Sequence, residues 1–177
     1  MEVFSGRPAD CAGRDAVEQQ SYDLLDRLGI EYLRADHPAA LTMEDCVSIG
    51  QALDAPVCKN LFLCNRQKTC YYLLLMEGDK PFKTKDLSAQ LEIARLSFAD
   101  EEAMDRLLGV RPGSVSPLGL ENDRDKRVQL VIDRALLAHP RIGCHPCRNT
   151  STVGFSTEDF IHKLLPALGH PPAYVRL

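Results

Sequence analysis

No stretch of this 177-residue chain stays apolar for long. The longest wholly apolar run, Tyr71 to Met76, falls far short of the roughly 20 residues that cross a bilayer. Near the start, Glu2, Asp10, Asp15 and Glu18 interrupt any signal-peptide pattern, so no export is expected. Internal repeats and low-complexity tracts are missing too. There is no GxGxxG, no P-loop, no HExxH and no GxSxG elbow, since Gly113-Ser114-Val115-Ser116-Pro117 has the wrong spacing. These absences remove the common dinucleotide, nucleoside-triphosphate, zinc-protease and serine-hydrolase readings. A net charge of −4 rules out nonspecific coating of nucleic acid.

What remains is an ordinary globular composition, with 45% apolar and 26% charged residues. The length predicts one domain, residues 1–177, able to bury roughly 70% of its unfolded surface. The seven cysteines are an odd number in a chain with no export pattern. They read as reduced thiols in a cytoplasmic protein.

Charge is unevenly distributed. Residues 1–58 carry net −7 and residues 99–125 net −4, whereas residues 59–85 carry net +4 from Lys59, Arg66, Lys68, Lys80, Lys83 and Lys85 against Glu77 and Asp79. Such a strip suits a small polyanionic contact, such as one end of an RNA, and equally a solvated hairpin kept soluble by its lysines.

The hydrophobic pattern alternates between the two periods of regular structure. Helices are expected over Ala16–Leu28, from a Thr42 cap with Asp45 to Leu53, over Thr84–Leu91 with Thr84 as cap, over Asp100–Leu108, and from a Ser156 cap to Leu168. Strands are expected at Ile30–Arg34, Arg95–Phe98, Val128–Asp133, Ile142–His145, Thr150–Phe155 and Ala173–Val175. Lys59–Cys64 and Thr69–Met76 read as a hairpin buried on both faces. Arg111–Leu120, rich in Gly, Pro and Ser, reads as an irregular loop. Strands and helices intermix without βαβ regularity, which predicts a single α/β domain with a mixed β-sheet flanked by helices.

Three places could carry chemistry. Lys59 opens an apolar run, so its ammonium either snorkels to the sheet edge or meets an anion such as a phosphate. The Gly109–Leu120 segment holds three Gly and two Pro, giving close backbone approach in a rigid loop, with hydroxyls and N–H groups for an amino acid or a ribose. Gly143-Cys144-His145-Pro146-Cys147-Arg148-Asn149-Thr150 admits several readings: a zinc site, for which further ligands are lacking, a redox CxxC, a core histidine, or His145 and Asn149 facing a polar pocket.

Lys59-Asn60-Leu61-Phe62-Leu63 resembles the free-standing prolyl-tRNA editing family, the YbaK-like proteins related to the insertion editing domain of bacterial prolyl-tRNA synthetase. Arg95-Leu96-Ser97-Phe98-Ala99, Gly113 to Leu120, and His145-Pro146 with Asn149-Thr150 and Thr152-Val153-Gly154 match in the same order, and His37-Pro38 before a Thr-x-Glu helix start also fits. The resemblance runs from about Ser21 to Tyr174. It implies hydrolysis, in trans, of the ester of a mischarged aminoacyl-tRNA, with Ala-tRNA(Pro) the expected substrate and Ser- or Cys-charged tRNA the alternative. It also implies Lys59 and His145 as catalytic residues. Asn60, Gly113, Ser114, Val115, Ser116, Pro117, Asn149 and Thr150 become substrate-binding residues. The acceptor end of tRNA is the implied partner, with prolyl-tRNA synthetase a second one, and neither DNA nor a membrane. No metal or other cofactor is implied. Cys144 stands where a larger apolar residue is expected. A protein of this fold that binds tRNA or a synthetase without hydrolysis is the rival reading.

Overall fold

A computed structural model describes residues 1–40 and 42–177. Nine strands alternate with helices in the order β1 (Val3–Ser5), α1 (Ala16–Arg27), β2 (Tyr32–Asp36), α2 (Met43–Leu53), β3 (Lys59–Cys64), β4 (Tyr71–Met76), α3 (Thr84–Gln90), β5 (Ser97–Phe98), α4 (Glu101–Leu108), β6 (Val128–Asp133), β7 (Arg141–Cys144), β8 (Ser151–Ser156), a last helix α5 over 157–168, and β9 (Ala173–Val175). The α/β class agrees with the sequence reading, but the strands divide between two sheets. One is antiparallel throughout, in the order β1-β2-β8-β7. The other is mixed, in the order β5-β3-β4-β6-β9, with β4, β6 and β9 parallel.

Local chemistry sets the element ends. The Thr42 hydroxyl accepts the Asp45 N–H at 3.1 Å and the Asp45 carboxylate accepts the Thr42 N–H at 2.9 Å, a reciprocal cap that starts α2. Asp100 caps α4 through the Ala103 N–H at 2.9 Å. Gly109 closes α4 in the left-handed region at φ 66°. Thr84 is not the cap of α3. That place falls to Lys83, whose side chain makes no capping bond. The hairpin strand starts at Tyr71 rather than Thr69, because the Asn65 side-chain Oδ1 accepts both the Thr69 and Cys70 N–H groups and withdraws them from the ladder. In the 111–120 segment the second half is ordered as a 3₁₀ helix, Pro117–Asn122, with Pro117 in its first turn. Within α5 the bonding widens to a π-turn at Phe160–Leu164, just ahead of Pro166, which has no N–H to offer.

The hairpin is buried on both faces, as its unbroken apolar runs require. Cys58, Phe62, Cys64, Tyr71, Leu73 and Leu75 enter the main core with α1, α4 and α5. Leu63, Leu74 and Met76 enter a second core with Leu87 of α3. A third, smaller core holds α2 against β2 through Ala35, Ile49, Leu53, Ala55 and Val57.

The two sheets share the main core and are also tied by backbone. A parallel bridge pairs Val57 with Gly143, and the Cys58 N–H donates to the Gly143 carbonyl at 2.8 Å. Beside that junction, a Cβ on Gly154 would lie 2.9 Å from the Ala55 Cβ and 3.4 Å from the Leu53 Cβ. Gly154→Ala is therefore expected to destabilise the fold by about 1–3 kcal/mol, the usual cost of overfilling a packed contact. Denaturant unfolding measures it, and an unchanged midpoint would show that α2 can retreat freely.

Candidate active site

The Val57–Gly143 bridge has a consequence for chemistry, because its strands run parallel. Lys59 and His145 each lie two residues beyond it, on neighbouring chains heading the same way. Side chains alternate along a strand, so Lys59 shares a face of β3 with Leu61 and Leu63. Asn60 and Cys144 turn to the opposite face.

The Gly113–Pro117 loop is joined to the end of β7. The Ser116 side chain hydrogen-bonds the Cys144 thiol. Gly113, at φ 82°, presses on Asn149 so closely that an added Cβ would sit 3.4 Å from Nδ2. That glycine is required by its left-handed backbone. Asn149 in turn is fixed to the chain before α2: its carbonyl accepts the Ala40 N–H at 3.0 Å, and the Thr150 carbonyl accepts the His37 N–H at 3.0 Å. The fold thus sets the Gly113–Pro117 loop against Cys144 and Asn149, while Lys59 and His145 each follow the Val57–Gly143 bridge by two residues. The Thr150 side chain points outward and is exposed.

Within the loop, both hydroxyls serve the loop itself. Ser114 Oγ donates to the Arg111 carbonyl at 2.9 Å and accepts the Arg111 N–H at 3.1 Å, while Ser116 Oγ accepts the Leu118 N–H at 3.2 Å. The Ser114 N–H is also taken, by the Arg111 carbonyl. Among the described residues the N–H groups of Gly113, Val115 and Ser116 have no intramolecular acceptor. They are the loop's available donors. Asn60 adds an acceptor, since its Oδ1 is buried without a partner. An orphaned polar atom of this kind is uncommon outside functional sites.

His145 is buried at 7% exposure and its protons can be ordered from its neighbours. Its Nδ1 lies 2.9 Å from the Ser151 carbonyl, which can only accept, so Nδ1 carries the hydrogen. The same nitrogen is 3.1 Å from Thr152 Oγ1, which lies 2.9 Å from Nε2 of His37. His37 Nδ1 donates to the Pro38 carbonyl at 2.8 Å. In the neutral ring its Nε2 then accepts from the Thr152 hydroxyl, and the relay runs one way from His145 to Pro38. His145 Nε2 is left as a bare acceptor, with no partner among the described residues. The two rings lie 6.1 Å apart.

Burial, with His37 adding to it, pushes the His145 imidazole below its ordinary 6.5, against the opposing pull of the Ser151 carbonyl. The ring is thus held neutral where a free histidine would begin to charge. Stability linked to His145 is complete above about 6.5, the unfolded value, and is lost as pH falls from there toward the lower folded value. The unfolding free energy should drop as pH falls below about 6.5, and His145→Gln should flatten that drop. Equal slopes for both proteins would contradict the neutral, buried ring.

Lys59 is half-buried, and its Nζ donates to the Lys80 carbonyl at 2.5 Å. An ammonium has three donors, so two remain for an anion. No carboxylate pairs with Lys59 among the described residues.

Cys144 and Cys147 face different neighbours, Ser116 and the Ser21 hydroxyl of α1. Burial raises the Cys144 thiol well above its ordinary value and pushes Cys147 up to about 11 and Cys58 up to about 12. Thiols so protonated are poor nucleophiles. Among the described residues no group of three His, Cys, Asp or Glu side chains is placed to hold a metal.

His37, Ser151 and Thr152 are the site residues that reasoning from motifs overlooked as functional. Their sequence signals were the pair His37-Pro38 ahead of the α2 cap and the Thr152-Val153-Gly154 stretch, neither of which named a role.

Comparison with known proteins identifies the family. The aminoacyl-tRNA editing domain matches residues 37–163, which span the relay, Lys59, the loop and His145. The chain is 37% identical over 157 residues to "Prolyl-tRNA synthetase associated domain-containing protein 1" of Mus musculus, covering 85% of this chain and 92% of that protein. It is 32% identical over 146 residues to "Prolyl-tRNA editing protein ProX" of Acetoanaerobium sticklandii, covering 82% and 88%. A solved structure described as "a putative trans-editing enzyme for prolyl tRNA synthetase" superposes with a TM-score of 0.68 at 18% identity, covering 92% of this chain and 98% of that one. The chain belongs to the aminoacyl-tRNA editing domain family.

Proposed function

We propose that the protein hydrolyses mischarged aminoacyl-tRNA in trans, with Ala-tRNA(Pro) as its preferred substrate, and so clears an error of prolyl-tRNA synthetase. The observation that carries this reading is a buried imidazole held by Ser151 through Nδ1 with Nε2 bare, and the unclaimed loop N–H groups and the spare donors of Lys59 support it. The names of the mouse and A. sticklandii relatives point to the same substrate class. The functional unit is taken to run from Ser21, which braces Cys147 from α1, to Tyr174.

The chemistry asks little of the protein. An aminoacyl ester is already labile, so positioning and charge stabilisation supply most of the rate. Lys59 holds a phosphate of the 3′-terminal nucleotide. The N–H groups of the Gly113–Pro117 loop receive the ester carbonyl and the negative charge that grows on it as water adds. The buried Asn60 Oδ1 accepts from the substrate's amino group. His145 closes the amino-acid pocket and offers Nε2 to the attacking water, whose proton it takes and returns to the leaving ribose oxygen. Ser114 and Ser116 hold the loop in shape, and Asn149 sets the position of Gly113.

A time course of alanine release from Ala-tRNA(Pro) tests this reading. Release far above the buffer rate is expected. Tight binding of the charged tRNA with release at the buffer rate would instead support the non-catalytic reading.

A further inference from the structure

The basic strip is not uniformly engaged. Lys68 is held by Asp100 and Lys80 by Asp133, both at 2.6 Å. Among the described residues no ion pair engages Lys83, Lys85 or Arg95, and all three are exposed. Lys85 and Arg95 flank a hollow of about 310 Å³ floored by Ser88. Beside it, Phe98 is 61% exposed on the edge strand β5, and its ring meets that of Phe82 at 6.4 Å and 73°. Phe82 rests on the second core, so the edge-on pair is a firm ledge rather than a loose side chain.

This ledge is continuous with the candidate site. The 80–82 segment that carries Phe82 also supplies the carbonyl holding Lys59 Nζ. Phe98 pairs with Leu63, four residues along β3 from Lys59 and on the same face. At about 3.3 Å per residue that is roughly 13 Å. Exposed aromatic rings bordered by unpaired cations match single-stranded nucleic acid, whose bases stack while its phosphates meet the cations. Asp86 and Glu92 are exposed nearby and favour a short strand over a long one.

We propose that Phe98, backed by Phe82, stacks an unpaired base of the RNA 3′ end, and that Lys85 and Arg95 hold the adjoining phosphate. The inference rests on the aminoacyl-tRNA reading and adds to it a second contact surface outside the reaction centre.

The test uses two probes: an acceptor-stem RNA hairpin with an unpaired 3′ tail carrying 2-aminopurine, and its blunt counterpart. The wild-type protein should prefer the tailed hairpin and quench its fluorescence. Phe98→Ala should weaken tailed binding about tenfold or more, leave blunt binding unchanged and abolish quenching. Phe98→Trp should restore all three. Arg95→Ala and Lys85→Ala should each lower the log–log salt slope by about 0.7. On Ala-tRNA(Pro), Phe98→Ala should raise KM and leave kcat unchanged. Unchanged affinity of Phe98→Ala for the tailed hairpin overturns the proposal, as does an equal loss on both hairpins. Self-association that Phe98→Ala abolishes, with RNA affinity intact, also overturns it and assigns the patch to a second copy. A wild-type protein that binds the tail as described yet releases no amino acid would sink the deacylase reading and leave this surface standing.

Discussion

Replacing Lys59 by alanine is expected to lower kcat/KM for Ala-tRNA(Pro) by about 100-fold or more while the protein stays folded. The size follows from what the side chain faces. A charged donor aimed at an anion in a partly dry site contributes on the order of 10²–10³ in rate. The fold has little at stake, because Nζ makes one bond, to the Lys80 carbonyl, and pairs with no carboxylate among the described residues. Substitutions that open no core cavity and break no buried ion pair usually stay within about 0.5 kcal/mol. Lys59→Arg separates charge from shape. If Lys59 only neutralises a phosphate, arginine restores most of the rate. If the compact ammonium must also fit beneath the Lys80 carbonyl, arginine recovers KM better than kcat. Uncharged tRNA should bind the alanine variant only slightly less well, one phosphate contact among several having been lost. Wild-type kcat/KM in Lys59→Ala would remove the residue from the site.

The sequence was legible where a structure is made by neighbours in the chain. The Thr42–Asp45 cap, the Gly109 stop and the two-faced burial of the Lys59–Met76 hairpin each follow from residues a few positions apart. Long-range pairing was not legible. Nothing local in Val57 or Gly143 announces that they meet, yet this contact joins the two sheets and aligns Lys59 with His145. β1 is only three residues long and has no pattern apart from its partner β2. His145 could be read from sequence as a core histidine or as a pocket residue, and the structure shows a buried ring with one side unpartnered. It is buried, and one nitrogen is fully used by Ser151, while the other is free. The cysteines show the reverse case. CxxC spacing suggested metal or redox chemistry, but Cys147 adopts φ 61° and turns its thiol to Ser21, away from the Ser116 contact of Cys144.

Proline should be spared. Released from matched tRNA(Pro), alanine should leave at least about 100 times faster than proline, which is the larger of the two effects expected from pocket size alone. The argument is steric. Proline extends beyond the alanine methyl by the atoms that close its ring, and the ring fixes the geometry of its nitrogen. The pocket wall has few ways to yield. His145 is pinned through Nδ1, Ser116 is fully buried, and Gly113 is held between the Ser114–Arg111 turn and Asn149. A wall that cannot move excludes a larger side chain while admitting a smaller one, which is the second sieve of an editing reaction. Serine presents the opposite case. It is close to alanine in size, and a pocket rejects an added hydroxyl by only about 100-fold when it is apolar. Here the bare Nε2 of His145 can accept from that hydroxyl. Serine should therefore follow alanine closely, and cysteine, a weaker donor, should come after serine. Hydrolysis of Ala-, Ser-, Cys- and Pro-charged tRNA(Pro) side by side gives the order directly. Rapid proline release would end the rigid-pocket account. Serine ahead of alanine would keep the deacylase reading and move the preferred substrate.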